Sequence, residues 1–214
     1  QGEGFDRSRL EFLPVASRLS KLEIAKVAVG PETPAPDPGA AAEVLDRTAE
    51  RILEARSRGA PVVICHGAHL IRNGLGPLLA EMAREGWLQH VATNGAGSIH
   101  DWEFAFLGRT CEDVESYVSK GQFGMWEETG AHIGRALLSG ALDGLGYGES
   151  IGRMIVDERL GIPARDELLG IVEEGAGGGP GSASRAAAAA DLLEAMESAG
   201  LEAGEGSLAH PHSS

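Results

Sequence analysis

The sequence predicts an α/β fold in which a parallel sheet carries helices on both faces. Two short apolar runs, residues 61–65 and 88–93, have the length and composition of buried strands. A helical segment separates them, and a helical crossover joins strands that run parallel. We therefore expect 61–65 and 88–93 to be adjacent parallel strands.

An N-terminal arm is predicted before this unit. Residues 1–40 include the proline-rich run PETPAPDPG, which is typical of an extended connector. The stretch FLPVASRLSKLEIAKVAV ahead of it predicts a short helix that packs on a neighbour. Residues 41–214 are then expected to form one domain, because a chain of this length is typical of a single domain with at most a small appendage.

Helices account for most of the remaining predicted elements. The first spans 40–58, with Val44, Leu45, Thr48, Ile52 and Leu53 on one face and Gly59 at its end. The others are predicted at 75–85, from about Ile99 onward, and at 111–120, 126–142, 149–160, 164–173 and 182–198.

The predicted strands are too few for a complete sheet of this kind. No strong strand follows Leu107, whereas an average sheet has about five or six strands. Two explanations stay open. Either weak strands lie in the second half, or the chain is the first part of a larger fold that is incomplete here.

The charge balance excludes one class of partner. Lys and Arg total 18 against 32 Asp and Glu, which gives a net charge of −14. Such a surface repels phosphate backbones, so we expect no binding to nucleic acid through a basic face. It attracts small cations such as amines, although an acidic surface is also ordinary for an enzyme.

Cysteine content and hydropathy predict a cytoplasmic protein. Cys65 and Cys111 are the only cysteines and form no CxxC pair, so no disulfide framework is expected. No run reaches the roughly 18 apolar residues that a bilayer crossing needs, so no membrane partner is expected. Cys65 is interpreted as a small buried hydrophobe in the first strand, and Cys111 is placed near a helix N-terminus.

Two polar loops follow the two strands: HGAHLIRNG after the first and TNGAGSIHD after the second. Ligands bind at the carboxyl ends of strands in open parallel sheets. Residues 93–98 offer backbone amides and hydroxyls immediately before a helix, which is how a loop holds a pyrophosphate. A side chain at Gly97 would then occupy the space that the phosphate needs. The alternative is that the glycines only make a turn.

Placed together, the two loops resemble the NAD-binding half of deoxyhypusine synthase and its relatives. That family has Ser-Asn-Leu-x-x-Ser-Gly after its first strand, where this chain has AHLIRNG at 68–74. Its second strand ends in Thr-Thr-Ala-Gly-Gly-x-Glu-Glu-Asp, where this chain has TNGAGSIHD at 93–101. Farther on, QFG at 122–124 and GAHIGR at 130–135 correspond in order to two further segments of the family. The resemblance covers about residues 60–140.

The resemblance implies a Rossmann-like NAD-binding fold and a deoxyhypusine synthase-like transferase activity. The substrate would be a cationic amine, either a polyamine or a basic amino acid, from which a hydride is removed to give an imine that is then transferred. Family members are homotetramers with active sites at subunit interfaces, so a homo-oligomer is also implied. The implied NAD-binding residues are His69, Asn73 and Gly74 in the first loop, and Thr93, Asn94, Gly95, Ala96, Gly97 and Ser98 in the second.

One motif of the family is missing. The family's lysine, within Trp-Gly-Lys, carries the aminobutyl group, but this chain has only Lys21, Lys26 and Lys120, none in such a motif. Two other interpretations therefore stay open. The chain is a nucleotide-binding or assembly subunit whose partner supplies the catalytic half, or it is an NAD enzyme like ornithine cyclodeaminase. The run GAGSIHDWEFAFLG also resembles the NAD-binding domain of that second class.

His100 is the predicted catalytic base. It follows the glycine loop, with Asp101 or Glu103 placed to orient it toward a bound amine. The alternative is that His100 and Asp101 only cap the start of a helix. A zinc site formed by His66, His69, His100 and Asp101 is a further alternative, but its spacing fits no structural zinc pattern and we predict no metal.

Overall fold

The computed structural model describes residues 9–175, 177–199 and 203–207, so the predicted ends of the arm and of the domain, 1–8 and 208–214, lie outside the described residues. The described residues form an α/β arrangement. The helices are α1 Ile24–Val27, α2 Ala42–Ser57, α3 Ala68–Arg72, α4 Gly76–Arg84, α5 Gly95–Leu107, α6 Val114–Val118, α7 Glu127–Leu142, α8 Tyr147–Asp157, α9 Arg165–Gly175 and α10 Pro180–Ala199. The strands are β1 Ser20–Glu23, β2 Val63–Cys65, β3 His90–Ala92, β4 Arg109–Glu112, β5 Arg159–Ile162 and β6 Gly204–Ser207.

The chain divides into two compact units. Unit 1 contains Gln1–Lys21, Trp102–Gly108 and Glu112–Ser214, and unit 2 contains Leu22–Asp101 and Arg109–Cys111. The division does not fall at residue 40, where the sequence predicts the end of an arm. Each unit is assembled from segments that are distant in the chain, which is why composition along the chain does not reveal the boundary.

A parallel strand pair in unit 2 confirms the central prediction. α3 and α4 lie between β2 and β3 in the chain, as a crossover requires. Each of the two strands is three residues long, and no other strand of the described residues joins this sheet. The facing residues are Val63 and His90, Ile64 and Val91, and Cys65 and Ala92.

The two strands are less buried than the sequence predicts. Val63 and Val91 are 53% and 43% exposed, and Cys65 is exposed as well. The interpretation of Cys65 as a small buried hydrophobe is therefore wrong. The reason is that no layer of the described residues covers the side chains that these strands present.

Strands also occur beyond Leu107, which agrees with the explanation that weak strands lie in the second half of the chain. β4 pairs with β1, and β5 pairs antiparallel with β6, from Arg159 opposite Ser207 to Ile162 opposite Gly204. Each of these sheets has two strands. Their sequences (RTCE, RLGI and GEGS) are polar or glycine-containing, so apolar periodicity could not reveal them.

The main helices confirm the predicted periodicity, with shifted ends. α5 begins at Gly95 rather than near Ile99, so the glycine loop forms the first turn of the helix. The helix predicted at 111–120 is instead β4 followed by α6, because the Asp113 side chain accepts a hydrogen bond from the Ser116 amide and caps a helix that starts after it. The helix predicted to reach 160 ends at Asp157, since Glu158 has a φ of +52°.

The described part of the arm up to Lys21 belongs to unit 1, and the arm from Leu22 onward belongs to unit 2. Instead of a single helix, residues 12–29 form a short 3-10 turn, β1 and α1. The Val15 amide donates a hydrogen bond of 2.7 Å to Glu128 Oε2, and the Val15 side chain is fully buried. The buried side chains that form a cluster with it are Leu107, Tyr117 and Trp126.

The main core of unit 1 is helical. The alanine run of α10 lets α9 approach closely, since a side chain at Gly175 would meet the Cβ of Ala186. None of the helices in the described part of the chain combines the length and the apolar content that a bilayer crossing requires. The most deeply buried side chains of this core are Trp102, Ala136, Leu168, Ala189 and Leu192.

Candidate functional site

The loops after β2 and β3 meet at the carboxyl ends of the two strands. The His66 amide donates to the Ala92 carbonyl at 2.9 Å, which extends the parallel ladder by one residue. The Thr93 hydroxyl lies 3.4 Å from His66 Nδ1. A Cβ placed on Gly67 would lie 3.9 Å from Asn94 Nδ2. We call His66, Gly67 and residues 93–97 the strand-end site.

The first turn of α5 forms one side of the strand-end site. Asn94 caps this helix, because its side-chain oxygen accepts a hydrogen bond of 3.1 Å from the Gly97 amide. Among the residues that the structure describes, the amides of Gly95 and Ala96 have no hydrogen-bond acceptor. Both residues are exposed, so these two amides can donate hydrogen bonds to an anion from solvent.

Gly97 has a structural explanation that the sequence did not indicate. A Cβ at this position would collide with the Oγ1 of Thr93 in the same unit. The space beside Gly97 is therefore filled by a side chain of the protein, and the expectation that a phosphate needs that space is wrong. The Ser98 hydroxyl also makes a hydrogen bond within the helix, since it donates to the Gly95 carbonyl at 2.9 Å.

The first loop contributes fewer residues to the strand-end site than predicted. Gly67 is the N-cap of α3, and His69 is exposed in the first turn of this helix. Asn73 and Gly74 lie at the other end of α3. Gly74 has a φ of +86° and packs against the backbone of Val27, so its contacts belong to the packing of unit 2.

His100 is held by a residue that the sequence gave no reason to select. Its Nδ1 lies 2.7 Å from the hydroxyl of Thr110, which is fully buried. The neighbouring Asp101 is exposed as a residue, but the packed atoms around its carboxyl group raise its pKa by desolvation. Its Oδ1 lies 3.7 Å from the position that a Cβ on Gly76 would take.

Glu103 is paired with Arg18 inside unit 1. The guanidinium donates to both carboxylate oxygens, at 2.6 and 2.8 Å, and the two side chains are only 2% and 3% exposed. A buried carboxylate needs such a partner, because an unpaired buried charge costs about 3–5 kcal/mol. This ion pair accounts for Glu103 structurally, and the sequence could not indicate it because the partners are far apart in the chain.

The zinc alternative receives no support. Within the described ranges, no group of three or more His, Cys, Asp or Glu side chains is arranged to hold a metal ion. His66 instead directs Nδ1 toward the Gly67 carbonyl at 3.0 Å and toward Thr93.

Comparisons with known proteins gave no relative. No protein-family model, no curated protein and no solved structure matches this chain. The arguments for its function therefore rest on its own residues and their geometry.

Proposed function

We propose that the protein binds NAD at the strand-end site and acts as an NAD-dependent enzyme on a cationic amine. One observation supports the proposal: the loops after two parallel strands meet beside the unpaired amides of Gly95 and Ala96. Strand ends next to a helix N-terminus are where dinucleotides bind in α/β folds. The larger Rossmann-like sheet of such an enzyme would need strands from outside the described residues.

The residues at the strand-end site fit a pyrophosphate. The Gly97 amide donates its hydrogen bond to the Asn94 side chain, which leaves the amides of Gly95 and Ala96 to donate to an anion. The two side chains are a hydrogen and a methyl group, so an anion can approach the backbone closely. The first turn of a helix also carries a partial positive charge, which stabilises a bound phosphate.

The proposed chemistry divides between the cofactor and two side chains. When bound, NAD supplies the acceptor for a hydride from the carbon that bears the amine. If His100 Nδ1 donates its proton to the Thr110 hydroxyl, Nε2 of the neutral ring can accept a proton from the amine nitrogen. Loss of this proton from nitrogen and of the hydride from carbon leaves an imine and NADH. Attack of an acceptor amine on the imine carbon, loss of the first nitrogen as ammonia or an amine, and return of the hydride from NADH would complete a transfer. Asp101 provides a carboxylate that attracts the cationic amine.

The contacts of the three lysines favour a second candidate function, that of a nucleotide-binding assembly subunit. In a lysine-dependent transfer, one lysine must be free to attack the imine carbon. The three lysines are instead engaged in surface contacts: Lys21 with Asp113 at 2.8 Å, Lys26 with Glu23 at 2.8 Å, and Lys120 over the Tyr117 ring. In this alternative, the chain binds the nucleotide as an assembly subunit and a partner chain supplies the catalytic half. An ornithine cyclodeaminase-like enzyme is the alternative that keeps both NAD and catalysis in this chain.

Calorimetric titration of NAD into the Gly95→Pro variant tests the binding proposal. Proline is tolerated at the first position of a helix, so the fold should persist, while its ring replaces the amide hydrogen that would donate to the pyrophosphate. Loss of one hydrogen bond to a charged group is worth about 1.5–3 kcal/mol, so the affinity for NAD should fall about tenfold or more.

The matched control is Val114→Pro, at the first position of α6. Asp113 before it has an extended backbone, with φ −77° and ψ 99°, so proline fits there as well. This variant should bind NAD as the wild type does. Absence of NAD binding by the wild type, or equal affinity of Gly95→Pro, would contradict the proposal.

The catalytic part of the proposal is tested separately. Asp101→Asn should bind NAD with nearly unchanged affinity but should lower the rate of NADH formation with diamines or basic amino acids. If the wild type binds NAD yet reduces none with any such amine, the assembly-subunit alternative is favoured.

A further inference from the structure

A cavity of about 250 Å³ lies within unit 1, where α7 and α8 meet the strand β5. It is smaller than the roughly 300–1,000 Å³ of pockets that hold drug-sized ligands, so it fits a molecule with few non-hydrogen atoms. Buried apolar side chains of both helices form part of its wall, among them Ala136, Leu142 and Met154. This part of the wall suits a short hydrocarbon chain.

Two buried serines present acceptor atoms to the cavity. The Ser139 hydroxyl donates to the Gly161 carbonyl at 2.7 Å, and the side chain is 7% exposed. The Ser150 hydroxyl donates to the Gly146 carbonyl at 2.8 Å, and this side chain is 3% exposed. A hydroxyl has one hydrogen and two lone pairs, so each oxygen can make further hydrogen bonds only as an acceptor. No described residue donates to either oxygen, so a ligand that donates would complete them.

The charged side chains at the cavity include one carboxylate without a partner. Arg153 donates to the Asp143 carboxylate at 2.6 Å, so the guanidinium is already paired. Asp157 follows Arg153 by one turn of α8 and makes no hydrogen bond or ion pair with a described residue. Two carboxylates thus stand against one guanidinium in the described lining, which favours a cationic ligand over an anion.

We propose that this cavity binds a small aliphatic ammonium ion. Hydroxyl and carboxylate oxygens of the lining hold its nitrogen, and its carbon chain lies against the apolar wall. An ammonium group has three donors and no acceptor, so it matches a lining that consists mainly of acceptors. The net charge of −14 also attracts such ions from solution. The cavity belongs to unit 1 and the strand-end site to unit 2, and this proposal does not depend on NAD.

Three probes of similar size separate the contribution of charge from that of shape. Butylamine, butanol and butyrate are titrated at pH 7 into the isotope-labelled full chain, and the amide chemical shifts are followed by NMR. Butylamine should bind saturably, with its largest shift changes in α8 and the C-terminal half of α7. Its affinity should exceed that of butanol about tenfold or more, because a charged donor makes the stronger hydrogen bonds, and butyrate should not bind. Absence of saturable butylamine binding, or equal affinities for butylamine and butanol, would overturn the proposal.

The Asp157→Asn variant tests the unpaired carboxylate. It keeps the size of the side chain and removes its charge, so the affinity for butylamine should fall about fivefold, as expected for an exposed charge pair. Asp191→Asn is the matched control, since Asp191 is exposed on α10 in unit 1, outside the cavity lining, and this variant should bind as the wild type does. Unchanged affinity in Asp157→Asn, or an equal loss in both variants, would show that the amine is attracted only by the overall negative charge and would overturn the proposal.

Discussion

His132 is a histidine of unit 1 that lies against two aromatic rings. Its ring stands edge-on to Trp102 and Phe106, with centroid distances of 5.4 and 5.1 Å. Its Nδ1 is buried without a hydrogen-bond partner among the described residues. Burial, and then the charge of Arg135, lower the pKa of His132 below its usual 6.5, while Glu128 acts in the opposite direction.

This lowered pKa predicts a pH dependence of stability. The unfolded chain takes up a proton on His132 near pH 6.5, whereas the folded chain keeps the ring neutral to a lower pH. The free energy of unfolding should therefore fall as the pH drops from 6.5 toward the folded-state pKa, and should be independent of this group at higher pH. Urea denaturation of wild type and His132→Phe between pH 7.5 and 5 measures the effect. Phenylalanine does not titrate, so the variant should lack the contribution of His132 to the pH dependence of the free energy of unfolding. His90→Gln, at an exposed position of β3, is the control and should keep the wild-type pH dependence.

At the residue scale, the sequence indicated which residue types could bind a ligand or carry chemistry, but not which side chains contact one another. It drew attention to the loop after β3, whose Thr93 hydroxyl lies 3.4 Å from His66 Nδ1. It could not indicate that Thr110 holds His100, that Arg18 pairs with Glu103, or that Thr93 fills the space beside Gly97. These contacts depend on tertiary packing, which leaves no periodic signal in the chain.

At the level of elements, Gly140 fixes how closely α7 packs on α8. A Cβ on Gly140 would collide with the side chain of Ser150, whose hydroxyl is held by the Gly146 carbonyl at 2.8 Å. By contrast, a Cβ on Gly134 of the same helix would meet nothing within 4 Å. The two glycines therefore differ in packing while sharing the same helix.

Opposite effects of the same substitution are expected at these two glycines. Gly134→Ala should raise the free energy of unfolding by up to about 1 kcal/mol, because alanine favours the helix. Gly140→Ala should lower it by about 1–3 kcal/mol, because the added methyl group overpacks the contact with Ser150. Chemical denaturation of both variants measures the difference. Changes of the same sign and size would show that Gly140 does not control the packing.

Helix α2 could be predicted because its apolar residues recur with helical spacing, and α10 because it contains five consecutive alanines, which favour a helix. The parallel pair of β2 and β3 could be predicted because both strands are apolar and a helix separates them. β4 and β5 could not, because short polar strands carry no such pattern. The burial of a strand depends on what covers it, which is why Val63 and Val91 were expected to be buried and are not.

On the scale of the whole molecule, the two units differ in how they are stabilised. Unit 1 has a core that includes Trp102, Leu168 and Leu192, whereas the buried side chains of unit 2 form no such cluster among the described residues. The chain length suggested one domain, and only contacts between distant segments reveal two units. A homotetramer stays a prediction of the family resemblance, and light scattering that gives a monomer of 22.3 kDa at micromolar concentration would contradict it.

If the implied homo-oligomer forms through unit 2, the stability of this unit depends on protein concentration. Trp87 reports on this unit, because the guanidinium of Arg56 on α2 lies 3.8 Å from the centre of its ring. The other two tryptophans, Trp102 and Trp126, are buried in unit 1. Since a dimer is stabilised by mass action, the transition reported by Trp87 should move to higher temperature as the protein concentration rises from low to high micromolar.

The midpoint temperature of the transition reported by Trp102 and Trp126 should be the same at every protein concentration if unit 1 is stabilised by its own core. Fluorescence melts of the wild type and of Trp87→Phe separate the two signals, because their difference isolates Trp87. A Trp87 signal whose midpoint is the same at every concentration would show that unit 2 draws its stability from within a single chain. In that case, unit 2 would have no role in assembly.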